Sequence, residues 1–533
     1  MSDVGGALPS PRFRGGARWS AALSGAVAAA TALAAGELTT AVAGSPTSPV
    51  LAVGARFVDR FAGSLKDFAV AVFGTSDKAA TVTGIVVLCC LLGALIGVAA
   101  LRRPRVVWAF APFAAAGLWA QAVDRRGSIG AAVTAALLGS GVGMTTCRRL
   151  VGLVRSADRH VVAAPQDAPG VLAGRIGVPA RRRFLVEAGA ATAGAASITV
   201  LGSALRRDDV VAKASTIALP DPGSVGPIPD PVPGFDTSGI SSFLTPNRDF
   251  YRIDTSLSAP RVDAGSWRLR IDGLVREPIE LSYRELLALP SVEETITIGC
   301  VSNEVGGGLV GNARWQGVPL RSLLDRVGVR RGAEQVFSTS VDGWTSGFPL
   351  ELVDDRRPVL VAYAMNGARL PVNHGFPARL VVAGLYGYVS ATKWIERIEL
   401  TTWADRDGYW VPLGWSKRGP VKLASRIDTP RQGSTVASGD VAIGGVAWRP
   451  AVGVSAVEVS IDDGPWQRAQ LGEATSEYTW VQWRIVRELS AGRHTVAVRA
   501  VDNRGRVQDP TVRPPDPDGA TGLHRVSFRV RKA

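Results

Sequence analysis

Thr295-Ile296-Thr297-Ile298-Gly299-Cys300 runs directly into Val301-Ser302-Asn303-Glu304-Val305-Gly306-Gly307-Gly308. The run of β-branched residues predicts a strand. The three consecutive glycines predict a loop whose backbone can approach a ligand closely. A cysteine stands at the join, where a rigid support hands over to an adaptable loop, a common place for a site. By its chemistry alone Cys300 has three readings. It is a small buried hydrophobe, or a nucleophile for which His374 is the one central base, or a soft-metal ligand. One thiolate does not make a zinc site, and the second half of the chain has no CxxC and no HxxxH. The third reading therefore needs a cofactor that brings sulfurs of its own.

Working outward toward the N-terminus, the composition changes. The chain has 533 residues, 46% of them hydrophobic, and Ala, Val, Leu and Gly crowd into residues 1–205. Apolar runs at 19–43, 79–101, 105–123, 128–146 and 184–205 are near the length needed to cross about 30 Å of hydrocarbon. Their Ala and Gly content suits close helix packing in lipid. Residues 51–74 differ: Arg56, Asp59, Arg60, Lys66 and Asp67 interrupt them, while Phe57, Phe61, Leu65 and Phe68 recur at near-helical spacing. That pattern predicts an amphipathic helix lying in the membrane interface.

The formal net charge is +14. Its arginines cluster beside the apolar runs and no nucleic-acid motif accompanies them, so the charge reads as topology and nucleic acid is not expected as a partner. Arg12, Arg14 and Arg18, then Arg102, Arg103 and Arg105, then the loop 147–183 mark the inner side; Arg125 and Arg126 are the exception in a short outer turn. Five crossings then deliver everything after residue 206 to the outer side, which makes the cytoplasmic membrane a partner and the protein multi-pass. Arg181-Arg182-Arg183-Phe184-Leu185 is similar to the twin-arginine export pattern. Cys89, Cys90 and Cys147 lie in or beside apolar runs, so the outer half has a single cysteine and no internal disulfide. The prolines of 206–240 predict an extended linker.

Beyond it, 241–412 mixes strands with short helices. Trp267-Arg268-Leu269-Arg270-Ile271 alternates as a half-buried strand, and Ser282 caps a helix over Tyr283-Arg284-Glu285-Leu286-Leu287. The last region, 413–533, holds alternating strands at 454–461 and 494–501, closed by Asp462-Asp463-Gly464 and Asp502-Asn503-Arg504-Gly505. Strands punctuated by turns in this way predict an all-β, immunoglobulin-like sandwich. His494 and His524 sit in strands and read as structural.

The wider pattern separates the readings of Cys300. Thr245-Pro246-Asn247, Phe250-Tyr251-Arg252, Cys300-Val301-Ser302-Asn303, Trp315-Gln316-Gly317-Val318-Pro319-Leu320, Asp342-Gly343-Trp344, Asn373-His374-Gly375-Phe376-Pro377-Ala378-Arg379 and Lys393-Trp394-Ile395 follow one another in order. Together they resemble the molybdopterin domain of the sulfite oxidase family, over roughly 245–410. The resemblance implies a multi-domain protein: a transmembrane α-helical bundle, an α+β molybdopterin domain and an immunoglobulin-like dimerisation domain. It implies a molybdenum–molybdopterin cofactor with Cys300 as metal ligand. Asn247, Phe250, Tyr251 and Arg252 would line the pterin, with Arg252 also near the metal. Asp342 would accept hydrogen bonds from the pterin ring, and His374, Arg379 and Lys393 would hold its phosphate end. Tyr409 would be the tyrosine near the oxo group.

The family's cysteine loop reads Cys-Ala-Gly-Asn-Arg-Arg, whereas Glu304 and Val305 follow Asn303 here. The missing arginine removes a charge-assisted contact to an oxyanion. Related bacterial enzymes without that pair reduce sulfoxides. The resemblance therefore implies oxygen-atom transfer on a small oxyanion, sulfoxide or N-oxide, with sulfite itself in question. No CxxCH haem site is present and no histidine lies in an apolar run. Electrons are then expected to pass to a separate cytochrome or quinone-linked partner, and a homodimer through the last domain is implied. The alternative is a non-catalytic membrane receptor or adhesion module that has kept the fold. A transporter is disfavoured, since few ionisable residues lie within the crossings.

Overall fold

The computed structural model describes residues 15–45, 47–61, 77–124, 128–162, 178–205, 218–227, 235, 238–354 and 357–532. They fall into two compact units, 1–211 with 255–258, and 212–254 with 259–533.

The first unit is helical: α1 Gly15–Val42, α2 Pro49–Phe61, α3 Asp77–Arg102, α4 Phe110–Val123, α5 Ile129–Val162 and α6 Val178–Leu205. A short 3-10 turn, Pro104–Ala109, precedes α4. Among the described residues, five helical segments are long and apolar enough to cross a membrane, and they correspond to the five apolar runs. α1 is central, its Ala21, Ala28 and Ala29 buried in one cluster with Ile96, Cys147 and Val151. Small side chains let these helix backbones come close. Outward-facing Leu91, Leu95, Trp119, Leu137 and Val186 are each more than half exposed, a surface that suits lipid better than water. Arg155 donates to the carbonyls of Ala100 and Leu101 at the end of α3, where a helix leaves its last acceptors unpaired and favours a cation. A helix is present over Pro49–Phe61, where the amphipathic stretch was expected to begin, and the rest of that stretch, 62–74, lies outside the described residues. Arg12, Arg14, Arg125, Arg126 and 163–177 lie outside them also.

In the second unit, two mixed sheets carry the part between residues 224 and 401. The first comprises β1 Ser224–Val225, β4 Val292–Gly299, β5 Val310–Pro319, β8 Val359–Met365 and β10 Arg379–Val382 in the order 1-4-5-8-10, with β9 Ala368–Arg369 beside β8. The second runs β3 Ile279–Ser282, β2 Arg268–Gly273, β11 Ile395–Thr401, β6 Gln335–Ser340, β7 Thr345–Pro349. β2 buries alternate side chains as its sequence pattern requires, with Leu269 and Ile271 inside. The predicted helix is there, Tyr283–Ala288. Its Ser282 hydroxyl accepts from the Glu285 N–H while Glu285 accepts from the Ser282 N–H at 2.8 Å, a capping box.

The proline-rich stretch read as an extended linker is docked over part of its length. Ser224–Val225 pairs in parallel with Val292–Glu293, and the Gln316 amide donates to the Pro220 carbonyl at 2.7 Å. The edge of β4 had backbone groups to satisfy, and these residues satisfy them.

The C-terminal domain is a two-sheet sandwich: β12 Ala424–Thr429, β14 Gly439–Trp448, β18 Val481–Leu489 and β17 Gln470–Leu471 in one sheet, and β13 Thr435–Val436, β20 His524–Val530, β19 Gly492–Asp502, β15 Val454–Ile461 and β16 Gln467–Arg468 in the other. Its core is Ile443, Val457, Val459, Trp483, Val496 and Val498. His494 bonds Asp462 at 2.7 Å and the Ser490 carbonyl at 2.8 Å, and His524 accepts from the Ile427 N–H at 2.9 Å. Both have the structural partners the sequence led us to expect.

Candidate functional site

β4 ends at Gly299, and Cys300 turns the chain into the loop. Its N–H donates to the Leu309 carbonyl and its carbonyl accepts from the Asn303 N–H. Asn303 closes the loop from within, its Oδ1 accepting from the Leu309 N–H at 2.7 Å. Cys300 is buried and makes no disulfide.

Beside it, Phe250 and Tyr251 stack with ring centroids 5.3 Å apart. Phe250 also meets Trp315 and His374 edge-on, each at 5.7 Å. Room for the Phe250 ring depends on Gly311 of β5, where a Cβ would sit 2.6 Å from it. Burial of the hydroxyl pushes the Tyr251 phenol upward, and the neighbouring Cys300 sulfur adds to it.

His374 is buried on a short 3-10 turn, Val372–His374. Its Nε2 lies 3.0 Å from the Asn247 carbonyl, which assigns the proton to Nε2, while Nδ1 is buried with no hydrogen-bond partner. A buried acceptor in that condition costs about 1–3 kcal/mol until a donor reaches it. Desolvation, then the Arg379 charge, hold His374 neutral with a pKa lowered to about 4. Asn247 acts through its backbone, because its side chain bonds the Met365 carbonyl and Asn366.

Arg379 opens β10 and is 3% exposed. It donates to the carbonyls of His374, Leu380 and Ala391 and lies 4.9 Å over the Trp315 ring. Burial lowers its pKa to about 10. Its partners are carbonyls and an aromatic face, with no carboxylate among them. Arg252 and Lys393 converge on Asp254, each at 3.1 Å from the same oxygen. Two cations thus share one carboxylate, which leaves a net positive charge suited to an incoming anion.

The structure therefore brings Asn247, Phe250, Tyr251, Cys300, His374 and Arg379 together, and ties Arg252 to Lys393. Asp342 and Tyr409 make contacts elsewhere as well. Asp342 caps its own turn, accepting from the Trp344 N–H at 3.2 Å. The Tyr409 N–H donates to the Thr345 carbonyl, and its ring meets Trp410 at 5.1 Å. Sequence reading passed over Tyr386. It is buried, its hydroxyl accepts from the Lys422 N–H, and it is pushed up to about 12 by burial, with smaller contributions from Asp518 and Cys300. The aromatic pair in Tyr386-Gly387-Tyr388, shortly before Lys393, was the available signal.

Residues 256–410 match a family of oxidoreductase molybdopterin-binding domains, and residues 424–498 match a bacterial Ig domain. Fold and site thus define a molybdopterin-binding oxidoreductase region followed by an immunoglobulin-like module. The chain is 31% identical to mitochondrial sulfite oxidase of Rattus norvegicus over 51% of its own length and 58% of that protein's. It is 30% identical to sulfite oxidase of Gallus gallus over 51% of its length and 69% of that chain. It is also 36% identical to the uncharacterized oxidoreductase YuiH of Bacillus subtilis (strain 168), over 30% of this chain and 76% of that one. The chain belongs to the sulfite oxidase family of molybdopterin-dependent oxidoreductases. It spans little more than half the length of the rat relative.

The residues present fit that family's cofactor. A buried guanidinium with only carbonyl partners suits a phosphate. The orphaned Nδ1 of His374 suits a pterin or phosphate-bridging donor. A buried, unpaired thiol at a loop beside two stacked aromatics suits a soft metal held otherwise by cofactor sulfurs.

Proposed function

We propose that this protein is anchored in the cytoplasmic membrane by its helices and transfers an oxygen atom to or from a small oxyanion, sulfoxide or N-oxide at the outer face. The bound molybdenum–pterin group supplies the two-electron oxygen-atom chemistry. The chain supplies placement. Cys300 is the thiolate ligand. Phe250, Tyr251 and the Asn247 backbone wall the pterin, and Asp342 offers it a carboxylate acceptor. His374, Arg379 and Lys393 hold the anionic end. Arg252 would supply a fixed positive charge near the reacting oxygen and Tyr409 a hydroxyl donor.

The observation that carries this reading is the buried Arg379 guanidinium beside the unpartnered His374 Nδ1. Both are costly as they stand, and both are relieved by one donor-bearing anion. Neutral oxides are favoured over sulfite as substrate. The two loop positions where the family has arginine are Glu304, which adds a negative charge, and Val305, whose side chain would lie 3.3 Å from a Cβ on Gly522. A separate cytochrome or quinone-linked carrier exchanges the electrons, and the C-terminal domain is the surface through which two copies would pair.

Metal analysis of natively expressed protein tests the enzyme reading: about one molybdenum per chain supports it, and none sinks it. Turnover of sulfite, methionine sulfoxide and other S- and N-oxides assigns the substrate, and fast sulfite oxidation would overturn the preference for neutral oxides. A phosphatase fused after residue 533 should be active only if the end of the chain lies outside. Loss of export when Arg181 and Arg182 become lysine would support the twin-arginine route.

A further inference from the structure

The glycine-rich loop is held from outside its own domain. Gly307 offers its carbonyl to Arg426 Nη1 at 2.9 Å. Arg426 is itself locked in place. Its Nε donates to Asp428 at 2.6 Å and its Nη2 to the Ser241 hydroxyl at 3.0 Å, and the other Asp428 oxygen accepts from the Ser241 N–H. The side chains of Arg426 and Asp428 are 12% and 9% exposed, so solvent does little to loosen this fork.

One residue along the loop, Gly306 has φ +78, and a Cβ there would lie 2.3 Å from the His524 ring. His524 cannot move away freely, because its Nδ1 accepts from the Ile427 N–H. Arg426, Ile427 and Asp428 lie on β12 and His524 on β20, so both sheets of the sandwich press on the loop that begins at Cys300. The β12–β14 register shifts between Ile427 and Thr429. A bulge of this kind re-aims neighbouring side chains and recurs beside active sites.

We propose that Arg426 and His524 are positioning residues for Cys300, so that the C-terminal domain fixes the direction of the thiolate as well as any assembly role. The inference rests on the reading of Cys300 as a metal ligand. The loop has few tethers of its own: the backbone bonds at Cys300, Asn303 and Gly307 and the Asn303 side chain close it upon itself. Its outer half is held further by the Arg426 bond, the His524 ring and the approach of Val305 to Gly522.

The test uses full-length Arg426→Gln, Arg426→Lys and His524→Ala, with Arg499→Ala as a control. Arg499 pairs with Glu458 on β15 and lies over the Trp466 ring, so its partners are within the sandwich and not on the loop. Two readouts separate positioning from bulk stability. In loaded protein, the Mo(V) electron paramagnetic resonance spectrum reports the metal–thiolate geometry. In cofactor-free protein whose Cys89, Cys90 and Cys147 are serine, the alkylation rate of Cys300 reports how well the loop is held. We expect R426Q and H524A to shift the resonance and to raise alkylation about tenfold or more, R426K to recover part of both, and R499A to change neither. If R426Q and H524A lower the melting temperature as R499A does, but leave resonance and alkylation at wild-type values, the proposal is overturned. If the wild type binds no molybdenum, the ligand reading fails; the alkylation arm still decides whether the two residues hold the loop.

Discussion

The guanidinium of Arg379 lies 4.9 Å over the indole ring of Trp315 and is buried. An aromatic face and three carbonyls keep it charged without neutralising it, which leaves its attraction available to an anion. Arg379→Met keeps much of the volume and removes the charge. A buried charge without a carboxylate partner contributes little net stability, so R379M should melt within a few degrees of wild type. It should nonetheless lose cofactor, because a charge-assisted contact is worth about 1.5–3 kcal/mol, or roughly 10- to 100-fold in affinity. Metal and pterin content of purified R379M check this; full retention would refute the phosphate assignment.

His374 gives a pH dependence with a definite sign. Its folded pKa, about 4, lies below its ordinary value. Above about pH 6.5 the ring is neutral in both states and contributes no slope. As pH falls from there toward 4, the unfolded chain takes up a proton that the folded one refuses, and stability falls. The loss at the lower end is on the order of 3 kcal/mol before relaxation reduces it. His374→Gln should therefore flatten the decline in melting temperature between pH 6.5 and 4. An unchanged decline would show that the ring titrates normally in the fold.

Gly311→Ala tests how the aromatic wall is seated. The added methyl would fall 2.6 Å from the Phe250 ring, so the ring must shift. Overpacking of this kind costs about 1–3 kcal/mol. The variant should melt lower and hold less pterin, and Phe250→Leu in the same chain should recover stability before it recovers pterin. Unchanged pterin content in G311A would remove Phe250 from the site.

Cys300→Ser should abolish the metal–sulfur signature and cut turnover by more than the 10- to 100-fold that supporting residues typically cost. Absorption and resonance spectra check the first, and steady-state assays the second. Unchanged metal content and turnover in C300S would end the enzyme reading.

The local elements were legible in the sequence because their causes are local. The alternation of Trp267–Ile271, the Ser282 cap and its short helix, and the strand running into Cys300 each appear close to where they were expected. The family pattern likewise named residues that the fold brings together, such as Asn247 with His374 and Arg252 with Lys393. What stayed hidden depends on distant partners. Arg426 and Gly307 are 119 residues apart, and no periodicity in β12 distinguishes that arginine from a surface one. Tyr386 sits in a short loop, and its hydroxyl is met from 36 residues away by the Lys422 N–H. The docking of Ser224–Val225 was hidden for a related reason, since prolines predict an extended chain but not what lies alongside it.

That docking has a practical corollary for anyone who wishes to cut the outer half free for crystallisation or kinetics. A fragment begun at residue 241, where composition alone would place the first codon, would strip the outermost partner from the strand that ends at Gly299 and leave the Gln316 amide without the Pro220 oxygen. Bare strand edges recruit other chains, so such a fragment should clump. One begun upstream of Pro220 should stay monodisperse.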